Sequence, residues 1–111
     1  MEIRQLTEDY SVSPQIGIEH LPLIKAAGFK SIISNRPDAE DGAVQHDEIA
    51  AAAREAGLEF RYIPVVSGQV TQQNVDDQAA ALDSLPKPVL AYCRSGGRCT
   101  NLYALVQELR G

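Results

Sequence analysis

The stretch from Val89 to Arg110 constrains the fold of this chain more than any other. Val89-Leu90-Ala91-Tyr92 is a short, unbroken apolar run of the kind buried on both faces of a parallel sheet. Pro86 and Pro88 punctuate the approach to it. Cys93-Arg94-Ser95-Gly96-Gly97-Arg98 follows at once, and Cys99 to Arg110 then places Leu102, Leu105, Val106 and Leu109 on one helical face. A buried strand, a glycine-containing loop and a helix in that order predict an α/β fold. In open α/β sheets, ligands bind beyond the carboxyl ends of the strands, which is where Cys93 falls.

The rest of the chain alternates in the same way and predicts a mostly parallel sheet of about four or five strands with helices on both faces. Ile3–Leu6 and Tyr10–Val12 read as strands around a turn, and Phe29–Ile33 and Phe60–Ile63 as further strands. Helices are expected over Ile18–Ile24 before Gly28 and over Asp47–Ala56 before Gly57. Thr71 is a good N-cap for another helix, carrying Val75, Ala79, Ala80 and Leu82. With 111 residues and no repeat or linker-like shift, residues 1–111 are read as one catalytic domain.

Composition excludes several function classes. Fifteen acidic against ten basic side chains give a net charge of −5, which argues against nucleic acid as a partner, since phosphate neutralisation needs a basic face. No apolar run nears the roughly 20 residues that span a bilayer. Met1 to Gln5 lacks the apolar stretch of a signal peptide, so a cytoplasmic location without a membrane partner is expected. Two cysteines are too few for a disulfide scaffold or a structural zinc site. His20 and His46 lie 26 residues apart on separate expected helices without Cys or His neighbours, so no metal or other cofactor is expected.

The chemistry is expected at Cys93. A helix N-terminus presents unpaired N–H groups and a positive dipole end, which favour an anion and favour thiolate over thiol. Gly96 and Gly97 allow successive N–H groups to turn inward as a nest for a tetrahedral oxyanion. Arg98 can close that nest with a planar fork of donors, and Arg94 can steer an anion towards it. Ser95 and Cys99 complete the loop. Arg36, Asp38 and Gln69 are candidate rim residues, and Tyr92 and Tyr103 read as packed aromatics.

The loop Cys93-Arg94-Ser95-Gly96-Gly97-Arg98 resembles the rhodanese active-site pattern Cys-Arg-x-Gly-x-Arg/Thr. The whole chain resembles the bacterial beta-lactamase-hydrolase-like family of phosphatase-like proteins. That second resemblance is carried by Ile3–Gln5, Ser31–Asp38, Tyr62–Val65 and Val89–Leu105. It implies a small tyrosine-phosphatase-like fold. Because members occur fused to persulfide-handling dioxygenases, it also implies a persulfide-handling enzyme as a partner.

Both groups form a covalent intermediate on cysteine, a persulfide in one and a phosphocysteine in the other. Four residues separate Cys93 from Arg98, one fewer than in tyrosine phosphatases, and Tyr92 stands where those enzymes usually have His. No carboxylate lies between Glu59 and Asp76, where a phosphatase would carry its general acid; Gln69 occupies that loop and cannot donate the proton. Lacking such an acid, a phosphatase loses about 10²–10⁴ in rate, whereas sulfur exchange has no need of one. Asp38 is the remaining candidate acid. The expectation is therefore a sulfurtransferase that passes sulfur from thiosulfate or a persulfide through Cys93 to a thiol acceptor. Phosphomonoester hydrolysis through Cys93 is the alternative, and a non-catalytic oxyanion- or persulfide-binding module the third. Cys99 reads either as a thiol that resolves or protects Cys93, or as a stand-in for the serine that phosphatases carry there.

Overall fold

The computed structural model describes residues 1–111. Strand β1 (Arg4–Thr7) turns back into β2 (Tyr10–Ser13), and the pair is antiparallel with a register shift between Gln5 and Thr7. A 3₁₀ turn (Ile18–His20) leads into α1 (Leu21–Ala26). Then follow β3 (Ser31–Ser34), α2 (His46–Glu55), β4 (Glu59–Tyr62), α3 (Gln72–Ser84), β5 (Val89–Tyr92) and α4 (Gly97–Arg110). The strand order is β1-β2-β5-β3-β4, so β5 lies in the middle with parallel neighbours on both sides. The expected elements are present with ends shifted by a residue or two, except that the first helix opens as a 3₁₀ turn and becomes α-helical only at Leu21.

The central position of β5 explains its composition. Val89, Ala91 and Cys93 pack with Tyr10, Val12, Ile33 and the inner faces of α3 and α4. Leu90 and Tyr92 point the other way, into a second core with Ile32, Ile24 of α1 and Ile49 and Ala53 of α2. Side chains alternate along a strand, and both faces here are covered, so the strand is apolar apart from the Tyr92 hydroxyl, which is buried without a hydrogen-bond partner. Cys93, one residue beyond β5, therefore joins the α3/α4 face at the carboxyl end of the sheet.

A buried polar network lies under that end. Asn35 Nδ2 donates to the Ile63 carbonyl at 2.9 Å and to Gln78 Oε1 at 3.0 Å. Gln78 Nε2 reaches Tyr10 Oη at 3.4 Å, and Tyr10 Oη donates to the Cys99 carbonyl at 3.0 Å. Asn35 also uses its backbone, donating to the Tyr92 carbonyl and accepting from Val65. Leaving one of these groups unpaired in the core costs about 1–3 kcal/mol, so the network fixes how the loops after β3, β4 and β5 meet.

Candidate active site

The loop after β5 folds around a sulfur atom. Gly96 takes φ +92°, a left-handed conformation that L side chains rarely adopt, and caps α4. A Cβ there would also meet the Arg4 guanidinium at 3.0 Å and the Ser13 backbone at 3.5 Å. This turn aims the Gly96 N–H at Cys93 Sγ, 3.0 Å away. Gly97 behaves differently from the expectation. It is the first residue of α4, its φ is not positive, and its N–H goes to Ser95 Oγ at 3.3 Å. One glycine, not two, makes the turn.

The Cys93 thiol is brought down to about 5. The largest cause is a hydrogen bond from the Cys99 thiol, and backbone N–H groups of Cys99, Ser95 and Arg98 add to it against the opposing cost of burial. Cys99 itself is pushed well up, first by burial and then by donating to Cys93, so it remains a thiol. Position 99 is thus a hydrogen-bond donor to the thiolate, the serine-like role. Cys93 itself has no exposed surface.

Arg98 is held by residues far away in sequence. Its Nη1 donates to the Val65 carbonyl at 2.8 Å and to Glu40, and its Nη2 donates to Glu40 Oε1 at 2.9 Å. The same Glu40 oxygen accepts from Arg36 Nε at 3.1 Å. Arg36, nearly buried, also binds Gln15 Oε1 and the Asp41 carbonyl. The Arg98 hydrogen bond, followed by Arg36, holds the Glu40 carboxyl below its usual range. Two guanidinium groups share one carboxylate, leaving a net positive charge beside Cys93.

Two cavities meet at Arg94, Arg98 and Ser67. The larger, about 770 Å³, continues past Ser95 to Asn101 and Val70. The smaller, about 230 Å³, is walled by Arg36, Glu40 and Asp41.

Residues 2–110 match the family described as "Beta-lactamase hydrolase-like protein, phosphatase-like domain". The chain belongs to this family. A beta-lactamase hydrolase-like protein of Xylella fastidiosa is 32% identical over the whole chain, which spans only 26% of that relative. A solved structure described as a phosphatase candidate, from Neisseria meningitidis, is 32% identical with a TM-score of 0.89, covering 100% of this chain and 80% of that one. The catalytic core of a PP-IP phosphatase from S. cerevisiae, solved with citrate, shares the fold at a TM-score of 0.74 and 15% identity, covering 96% of this chain and 65% of its own. The tyrosine-phosphatase-like fold is thereby shown, and the phosphatase alternative is favoured over the sulfurtransferase expectation.

Within this phosphatase-like domain, two expected rim or acid residues fall away from the loop. Asp38 accepts the His46 N–H at 2.8 Å and pairs with His46 Nδ1 at 2.6 Å, while its own N–H donates to Tyr62 Oη at 3.0 Å. It caps α2 and lines neither cavity. Gln69 closes a turn through its N–H to the Val66 carbonyl and is exposed, while Ser67, Gly68 and Val70 around it do the lining. His46 is no bare surface histidine: its ring stacks on Tyr62 at 3.7 Å, and Asp38 and Asp47 flank it closely enough to offer a small ligand cluster. Tyr92 points into the α1/α2 core, with its phenol pushed up to about 12 by burial, and Tyr103 stacks on Tyr10 at 4.7 Å. Both are packed aromatics. Sequence reasoning missed Glu40, Gln78 and Arg4. For Glu40 the only signal was its place four residues after Arg36, an ordinary helical spacing for an ion pair.

Proposed function

We propose that this chain hydrolyses phosphate monoesters or related phosphoryl compounds through a phosphocysteine on Cys93. The observation that carries the reading is the thiol held at about 5 at the N-terminus of a 14-residue helix, with the Arg98 guanidinium beside it. At neutral pH Cys93 is a thiolate that needs no separate base. The sulfur attacks phosphorus while Arg98 and the inward N–H groups hold the non-bridging oxygens. Water then cleaves the phosphocysteine. The Cys99 thiol, already a donor to the thiolate, stabilises Cys93 as the leaving group in that step. Family membership supports the same reading.

Sulfur transfer is the second reading, favoured by the four-residue spacing between Cys93 and Arg98, which matches the rhodanese loop. Parallel assays with p-nitrophenyl phosphate and with thiosulfate plus cyanide separate the two. We expect release of p-nitrophenol that is lost in Cys93→Ser, and a trapped adduct of roughly 80 Da on Cys93 from the phosphoryl intermediate. A gain of roughly 32 Da from thiosulfate, discharged by cyanide, without phosphatase turnover would replace this reading by the sulfur one.

A further inference from the structure

The larger cavity is chemically one-sided. Arg94, Arg98, Ser67, Ser95 and Asn101 line it together with loop backbone, Val70 is its sole hydrophobic residue, and neither a carboxylate nor an aromatic ring faces it. Small-molecule pockets are usually mostly apolar. One built from two guanidinium groups, hydroxyls and an amide suits a strongly hydrated anion instead. At about 770 Å³ it is far larger than the single phosphoryl group that a Cys93 nest would hold.

The acids around the loop restrict what can leave. Glu40 is kept ionised by Arg98 and Arg36. Asp38 is committed to His46, and residues 60–75 contain no carboxylate. Asp41 faces only the smaller cavity, across Arg98 from the larger one. A group departing into the larger cavity meets donors and positive charge but no side-chain acid. An alcohol departs as a strongly basic alkoxide, whereas a phosphate, whose second ionisation lies at ~6, departs readily as an anion.

Resting on the phosphatase reading, we propose that the substrate is a phosphoanhydride. Its terminal phosphoryl group is taken by Cys93, and its inner phosphates lie in the cavity between Arg94, Ser67 and Asn101. The Cys93 Sγ–P bond forms as the bond from that phosphorus to the bridging oxygen breaks. The electron pair stays on the oxygen, which departs as part of the inner phosphate and needs no proton. Water then attacks the phosphocysteine, the S–P electrons return to Cys93 as thiolate, and the proton lost by water goes to bulk solvent.

The test compares kcat/KM for three probes on the intact chain: p-nitrophenyl phosphate, inorganic tripolyphosphate and glycerol phosphate. Tripolyphosphate should exceed glycerol phosphate by about 10²–10⁴, the range a missing general acid imposes on the alkyl ester. Arg94→Ala should lower kcat/KM for tripolyphosphate about tenfold more than for the aryl ester, as expected for a charge-assisted contact made only to the inner phosphates. Turnover of the aryl ester without tripolyphosphate, glycerol phosphate within tenfold of tripolyphosphate, or an equal Arg94→Ala loss on both substrates would each overturn the proposal and leave the phosphatase reading standing. No turnover of any probe would overturn both.

Discussion

The two sides of Arg98 are built on opposite principles. On the side of the β3–α2 loop its fork is filled by Glu40 and the Val65 carbonyl, and Arg36 shares the same carboxylate. Across the guanidinium, towards Ser67, Arg94 and Asn101, no carboxylate answers the charge. A guanidinium paired on one side is oriented, because its planar fork is fixed by two acceptors. On the other side, the unanswered Arg94 and the helix N-terminus supply attraction for an anion. Pairing and open positive charge thus lie on opposite sides of one side chain.

Removing the Cys93 thiol, the proposed nucleophile, should have the largest effect. Cys93→Ser should abolish turnover, measured with p-nitrophenyl phosphate, and leave the fold intact by circular dichroism. Arg98→Lys comes next: it keeps the charge but loses the fork, and should cost about 10²–10³ in kcat, the scale of a lost transition-state donor. An equal loss in Arg94→Lys would break the division, since only Arg98 is pinned by Glu40.

Glu40→Gln should act through Arg98. We expect kcat to fall about tenfold with KM rising, and unfolding stability to drop by about 1–3 kcal/mol as two charged groups lose their shared acceptor. If kcat rose instead, Glu40 would be competing with substrate for the fork, not orienting it. Cys99→Ala should raise the midpoint of the thiolate ultraviolet absorbance above the wild-type value of about 5, because the Cys99 thiol is the main cause of the lowering. Cys99→Ser keeps a donor and should stay close to wild type. The sign for stability follows from linkage: with the Cys93 thiol lowered from 9.0 to about 5 by folding, its contribution is full above pH 9 and is lost as pH falls through 5. Cys93→Ser should remove that slope.

Asp38→Asn carries the smallest expected effect on catalysis. Because Asp38 caps α2 and faces neither cavity, kcat should change less than about threefold while stability falls by about 0.5–2 kcal/mol, the usual worth of such a cap. A large loss of kcat with unchanged stability would return Asp38 to the site as an acid.

Several features are legible in the order of amino acids alone. The run Val89–Tyr92 announced a strand buried on two faces, and Thr71 announced its helix, where it forms a reciprocal cap with Asn74. Cys93 and Gly96 announced the loop, since a left-handed turn ahead of a helix calls for glycine. These features are local. They depend on side-chain alternation, helical spacing and backbone sterics over a few residues, which the order of amino acids states directly.

What the linear order did not state is which distant groups meet. Glu40 and Arg98 are 58 positions apart, and Asn35 and Gln78 are 43 apart. Asp38 and Glu40 are both carboxylates in one polar loop, and nothing in their composition assigns one to the α2 cap and the other to Arg98. That choice follows from the direction in which the chain leaves β3, and from Tyr62 and His46 standing where they receive Asp38. The sequence by itself determined the α/β layering, the place of Cys93 at the end of the central strand and the turn that aims an N–H at it. Only the tertiary structure decided which carboxylate orients Arg98, that Cys99 donates to the thiolate, and that Arg98 also borders a cavity without carboxylates, because hydrogen bonds and charges act through space over a few ångströms regardless of separation along the chain.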